Sequence, residues 1–284
     1  MARIFNLIIS PNFISPLFWD ICVISCYLVI NLVYLYFMTS KRADKSKIAI
    51  VSRFALPIAI LVHTVTAWIF GLQIAREGWH SAIMGPLFVA SAMDSGLALL
   101  LCVLAALKKA RLFETSRELM ASLAGLLATC IAVDAFFIFC EVLTMAYPGA
   151  AGAETLALMT SGPTAPFFWF EIIGCVACAV ICLTPALRRN GLLVTASLLA
   201  IAGIFCKRVQ LLVGGFQITN LADMAPAVNS MSITYADGTL ADAYANLVYW
   251  PTPLEAGVTL GVVALGFLVF FLGLKFLPLR PSEK

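Results

Sequence analysis

Charge is what this sequence has least of. Only 12% of its 284 residues are Asp, Glu, Lys or Arg, against 62% hydrophobic residues, and the mean hydropathy is +1.00. A soluble domain of this length has too little interior to hide so much apolar surface. Histidine is nearly absent: His63 lies within an apolar run and His80 in a short polar connection. A buried bis-histidine haem needs two facing histidines inside the membrane, so no haem is expected. No Walker loop, dinucleotide fingerprint, H-E-x-x-H or nucleophile elbow occurs. The nine cysteines are scattered through apolar stretches and read as small hydrophobes, not as a disulfide framework. Cys175, Cys178 and Cys182 share a helical face but lack the Gly/Pro-rich loop that wraps an iron–sulfur cluster. No metal site is therefore expected. The net charge of +3 resides in short basic clusters between apolar runs, which gives no case for nucleic acid. The short alternating segments of a transmembrane barrel are missing too.

What is present is a series of runs of about 20 apolar residues, each long enough to cross a hydrocarbon core as a helix. The expected fold is an all-α polytopic membrane protein, one integral-membrane domain over residues 1–284, with about seven spans. They are read at 16–38, 54–75, 84–107, 119–146, 166–187, 191–213 and 255–277. Pro16, Pro166 and Pro253 punctuate starts, Pro278 follows the last span, and Gly214–Gly215 is expected to end the sixth. One set of connections holds 14 of the 18 Lys and Arg, with only Arg3, Arg76, Lys207 and Arg208 on the other side. The positive-inside rule puts the N-terminus outside and the C-terminus in the cytoplasm. An outside N-terminus without a cleavable signal is unusual: either the first span inserts N-out directly or, the favoured expectation, the reading frame is incomplete or split and upstream spans are missing. The outer side also carries the long segments 147–165 and 214–254, expected to fold over the bundle or meet a partner. "YADGTL" (235–240) reads as a tight turn.

An ionisable group inside a span costs at least a few kcal/mol unless paired or hydrated. Asp20 opens the first span, Asp94 lies in the outer half of the third, and Asp134 is near the middle of the fourth. Glu141 is seven residues further along the face of Asp134. Glu171 is one turn into the fifth span, Lys207 and Arg208 sit in the outer half of the sixth, and Glu255 opens the seventh. Glu141, Glu171 and Asp20 have suitable depths to neutralise Lys207 and Arg208. A structural ion-pair network, outward snorkelling and a site for a redox or protonatable membrane ligand all fit these positions. His63 is either a hydrogen-bonded packing residue or a proton carrier and quinone-oxygen partner.

Four ordered stretches carry a family resemblance: "SPLFWDICVISCYLVINLVYLY" (15–36), "HTVTAWIFGLQIAREGWHSAIMGPLFVASAMDSGLALLL" (63–101), "KRVQLLVGGFQ" (207–217) and "YWPTPLEAGVTLGVVALG" (249–266). Together they resemble the NrfD/PsrC family of polysulfide-reductase-type membrane subunits, most of all its longer, ten-span DsrP/HmcC/ActC-like branch. The seven spans then correspond to the last seven of ten. The resemblance implies a multi-pass subunit of the cell membrane that binds menaquinone or another quinone and has no haem or iron–sulfur cluster of its own. Such a subunit exchanges electrons with an iron–sulfur protein, often ferredoxin-like and docked on the outer face, beside further redox subunits of a respiratory complex. It assigns quinone contact and proton exchange to His63, Asp20 and Arg208. Asp94, Asp134, Glu141 and Glu171 are then candidates for proton transfer, with Lys207 and Glu255 as charge partners. A Dsr-type complex of sulfite or sulfur metabolism is the first expectation. The alternatives are an alternative-complex-III-like or molybdoenzyme anchor, a passive structural anchor, and a secondary transporter or proton channel; no internal repeat supports the last.

Overall fold

A computed structural model describes residues 9–40, 45–74, 76, 78–147, 152–217, 234–235, 238–239 and 251–276. Within them lie eight helices of eight residues or more: α1 Pro16–Thr39, α2 Lys45–Gly71, α3 Met84–Lys109, α4 Arg117–Ala146, α5 Ala153–Thr160, α6 Ala165–Leu183, α7 Asn190–Gln217 and α8 Pro253–Phe276. All but the short α5 are long and apolar enough to span a membrane. The protein is a multi-pass integral membrane protein. A two-strand ladder, β1 (Thr234–Tyr235) with β2 (Gly238–Thr239), pairs Tyr235 with Gly238. That pairing fits the turn expected in "YADGTL", whose Ala236, Asp237 and Leu240 lie outside the described residues, as do 218–233 and 241–250.

Four helices form the core: α3, α4, α6 and α7 pack against one another, while α2 joins α3 and carries α1 on its far side. Ala98, Leu101, Leu127, Ala128, Ala196 and Ala200 lie in the central apolar cluster, together with Cys175, Cys178 and Cys182. The cysteines thus act as small core hydrophobes, as their scatter through apolar runs implied. Outward faces remain apolar, and α8 has no buried residue at all. With little hydrophobic drive between helices in lipid, close approach depends on small residues at the contacts. The α6–α7 contact shows this. A Cβ on Gly203 would stand 3.3 Å from the Glu171 Cα, and one on Gly174 would stand 3.1 Å from the Leu199 carbonyl oxygen.

Several boundaries differ from the sequence reading, each for a local reason. The second span begins at Lys45, not 54, because nothing before Pro57 breaks a helix; Lys45, Lys47 and Arg53 are helical residues, not loop. It ends at Gly71, whose carbonyl meets His80 Nδ1 at 3.0 Å. The fifth span ends at Leu183, because Pro185 cannot donate the next helical bond, and a 3-10 turn covers Pro185–Leu187. The fourth starts two residues early, where Ser116 Oγ caps the chain by accepting from the Leu119 amide at 3.0 Å. The segment 147–165 contains α5, which lies over one end of the core against α4, α6 and α7.

The largest correction concerns Gly214–Gly215, which do not end the sixth span: α7 continues to Gln217. The glycines instead admit the α2–α3 connection. Trp79 lies on Gly215 so closely that a Cβ there would overlap the indole ring. Trp79 Nε1 donates to the Leu211 carbonyl at 2.7 Å, and Arg76 Nη1 donates to the Gly215 carbonyl at 2.8 Å. Phe70 and Phe216 meet the indole edge-on at 5.2 Å. The "REGWH" connection and the "VGGFQ" helix end, two of the shared motifs, are therefore two halves of one contact. Gly215→Ala is expected to destabilise the folded protein by about 1–3 kcal/mol through overpacking. Gly214→Ala, whose Cβ would make ordinary contacts at 3.8 Å, is expected to be near neutral. Thermal unfolding of both variants in detergent checks the contrast.

Candidate functional site: a buried charge cluster beside an apolar cavity

Lys207 and Arg208, adjacent on α7, point to different places and do different things. Lys207 is 7% exposed and sits between α4 and α6. Its Nζ lies 3.1 Å from Asp134 Oδ2 and 3.2 Å from Oδ1, hydrogen-bonded to both, and 3.1 Å from Glu171 Oε1. The contact with Glu171 is a close ion pair to a different helix from that of Asp134. The close α6–α7 approach at Gly203, one turn before Lys207, sets the Glu171 backbone against α7, from where its side chain reaches the ammonium group.

Asp134 and Glu171 are each 2% exposed, and Asp94 is fully enclosed. Neither carboxyl oxygen of Asp94 has a hydrogen-bond partner among the described residues, although Asp134, Lys207 and Glu171 are all within electrostatic reach. Glu141 is half-buried and within reach of Lys207 and Asp134. It lines a small cavity of about 40 Å³ with Thr155, Gln210, Gly214 and Gly215, under α5. Glu141 lies nearest the α5 end, Glu171 and Asp134 flank the ammonium group, and Asp94 lies within electrostatic reach of both. Four carboxyl groups thus lie within electrostatic reach of Lys207.

Arg208 turns the other way. Its Nη2 donates to Ser91 Oγ at 2.7 Å and its guanidinium lies 3.6 Å over the Phe88 ring, both on α3. It makes no ion pair among the described residues, in contrast to the carboxylate partner expected for it. Nη1 has no hydrogen-bond partner among the described residues, although it is buried. Arg208 also lines a cavity of about 690 Å³ between α7 and α8, walled by Phe205, Leu212, Val213 and Leu260 and edged by Glu255. Glu255 itself completes a capping box at the start of α8. Thr252 N donates to Glu255 Oε2 at 2.7 Å, and Glu255 N donates to Thr252 Oγ1 at 3.3 Å.

Asp20 and His63 do not line this cavity. Asp20 is the one buried residue of α1, where it accepts from Thr66 Oγ1 at 2.6 Å. It is not a partner of either cation on α7. His63, one turn before Thr66 on α2, is exposed on the side of the bundle and lies within electrostatic reach of Arg208. The structure therefore assembles Lys207, Asp134, Glu171 and Asp94, brings Arg208 and Glu255 to one cavity, and leaves Asp20 with Thr66. Sequence reasoning missed Ser91, Phe88 and Thr66. A serine one turn before Asp94 in "ASAMDSG" was the available signal for Ser91; nothing marked Phe88 among 20 phenylalanines.

The family model described as "Polysulphide reductase, NrfD" matches residues 1–220. A Halobacterium salinarum protein named as a putative membrane subunit of dimethyl sulfoxide reductase is 31% identical, over 98% of this chain and 69% of its own length. The Hdr-like menaquinol oxidoreductase integral membrane subunit of Archaeoglobus fulgidus is 27% identical, over 93% of this chain and 66% of its own length. A selenate reductase subunit of Mesobacillus selenatarsenatis is 26% identical, over 81% of this chain and 51% of its own length. The chain thus spans about two thirds of the first two relatives and about half of the third. The protein belongs to the NrfD family of polysulphide reductase membrane subunits.

Proposed function

We propose that this chain is the quinone-interacting membrane subunit of a respiratory oxidoreductase complex, with the quinone ring held against Arg208 in the cavity between α7 and α8. The observation that carries the reading is the cavity itself. It is of ligand size, its walls are apolar, and a half-buried guanidinium group sits at one edge with a carboxylate at the other. A relative named as a menaquinol oxidoreductase subunit supports the ligand class. Two relatives are named as subunits of reductases for dimethyl sulfoxide and selenate. They favour a molybdoenzyme-type anchor over a Dsr-type complex of sulfur metabolism.

Quinol oxidation supplies two electrons and two protons, and quinone reduction consumes them. In either direction this chain's work is to bind, to orient and to exchange protons. Phe88 and Ser91 fix the guanidinium plane beside the cavity, where its positive charge favours the ring oxygens of a quinone. His63 flanks Arg208 from α2, and Asp20, oriented by Thr66 one turn further on, extends the proton-exchanging side. Asp94, Asp134, Glu171 and Glu141 form a proton-transfer series. A carboxyl as enclosed and unpartnered as Asp94 is too costly to keep ionised in isolation, so it is suited to hold a proton. The basic connections at the opposite end support an outer position for the α5 end of the bundle. A ferredoxin-like iron–sulfur subunit docks over that end and takes or delivers the electrons.

Two outcomes test this. In a quinol-analogue titration followed by fluorescence quenching, Arg208→Gln is expected to weaken binding at least about tenfold, the loss of one charged hydrogen bond. Glu255→Gln keeps the capping box, since glutamine serves there too, and is expected to weaken binding less; unchanged binding in both variants would move the quinone elsewhere. Asp94→Asn is expected to leave binding intact and to slow quinol-dependent reduction of the partner's cluster by about 10²-fold. An unaltered rate would remove Asp94 from proton transfer, and His63→Ala and Asp20→Asn in the same assay separate the α2 side from the acidic series.

A further inference from the structure

At the opposite end of the bundle from α5, three arginines share one cleft. It measures about 530 Å³ and opens where α4 begins, where α6 has given way to the 3-10 turn and where α7 begins. Arg117, Arg188 and Arg189 line it, with Met120, Ala121 and Leu193 as apolar lining. No acidic residue lines it, and none of the three arginines forms an ion pair within 4 Å among the described residues. Arg188 is anchored: its Nε donates to the Cys182 carbonyl at 2.7 Å, which holds the guanidinium group while leaving its two terminal amino groups. Arg117 and Arg189 are exposed.

Three like charges in a concavity repel one another, and no acidic residue lines the cleft or pairs with them within 4 Å among the described residues. Arginine forks match phosphate geometry with paired hydrogen bonds. The cleft also lies at the level where spans start and stop, which is the headgroup region of a bilayer. Its lining is apolar beside the guanidinium groups, and the neighbouring Leu119 and Leu183 are 43% and 61% exposed. A free phosphate would use the arginines alone. A phospholipid uses both the arginines and the apolar lining, and basic pockets between spans are a recognised form of headgroup site. We infer that this cleft is a binding site for the phosphate headgroup of an anionic phospholipid, with the acyl chains laid against Leu119 and Leu183.

The experiment titrates the purified full chain in neutral detergent with phosphatidylglycerol or phosphatidylcholine and reads bound lipid by native mass spectrometry. Wild type is expected to retain phosphatidylglycerol in preference to phosphatidylcholine. Arg117→Gln/Arg189→Gln, which spares the anchored Arg188, is expected to weaken phosphatidylglycerol binding on the order of thirtyfold, from about fivefold per cation at the surface. Lys47→Gln/Arg53→Gln, which removes two exposed cations from α2, is expected to leave it unchanged. Equal binding by wild type and the cleft variant would overturn the proposal, as would an equal loss in the α2 variant, which would show a diffuse basic surface. Displacement of the lipid by an equimolar amount of inorganic phosphate would also overturn it, by assigning the cleft to the free anion. If the double variant does not fold, the two single substitutions, both at exposed side chains, give the same reading separately.

Discussion

An ammonium group almost without access to solvent, set between two carboxylates on two other helices, is the contact on which the arrangement of this bundle depends. In lipid, apolar side chains gain little by leaving their surroundings for one another. A buried charge, by contrast, is strongly destabilising when its partner is removed. Lys207 therefore fixes which faces of α4, α6 and α7 meet, and at what height. The small residues around it make that geometry attainable: Gly203 lets α6 lie against α7 closely enough for Glu171 to reach the ammonium group.

The neighbouring position inherits its direction from that lock. Successive residues on a helix point about 100° apart. With Lys207 turned toward Asp134 and Glu171, Arg208 is left facing Phe88 and Ser91 on α3 and the cavity beside α8. One dipeptide thus separates an ion-paired charge from one that faces the cavity. The far end of α7 is held in the same spirit. Trp79 and Arg76 clasp the helix at Leu211 and Gly215, which keeps the rotation of α7 from relaxing beyond the ion pair.

Much of this was legible in the sequence because hydrophobic length and intramembrane charge are strong signals. The seven spans follow from apolar runs, and their errors fall where local chemistry overrides length, as at Pro185 and before Pro57. The need of Lys207 for carboxylate partners followed from the cost of burial, and Glu171 was among those of suitable depth. The choice of Asp134 over Glu141 and Asp20 was not legible, because depth along a span says nothing of which face meets which helix. The same gap hid the Arg208–Ser91 bond and made Gly214–Gly215 look like a helix stop. A glycine that ends a helix and one that admits an indole look alike in one dimension.

The most direct measurement of the account is thermal unfolding, in one detergent, of Lys207→Met, Asp134→Asn/Glu171→Gln and the triple variant combining them. If Lys207 is the lock, Lys207→Met alone loses about 3–5 kcal/mol by stranding two buried carboxylates, and the triple variant recovers most of that loss. A triple variant whose destabilisation equals the sum of its parts would contradict the account, since it would show that the three groups do not depend on one another.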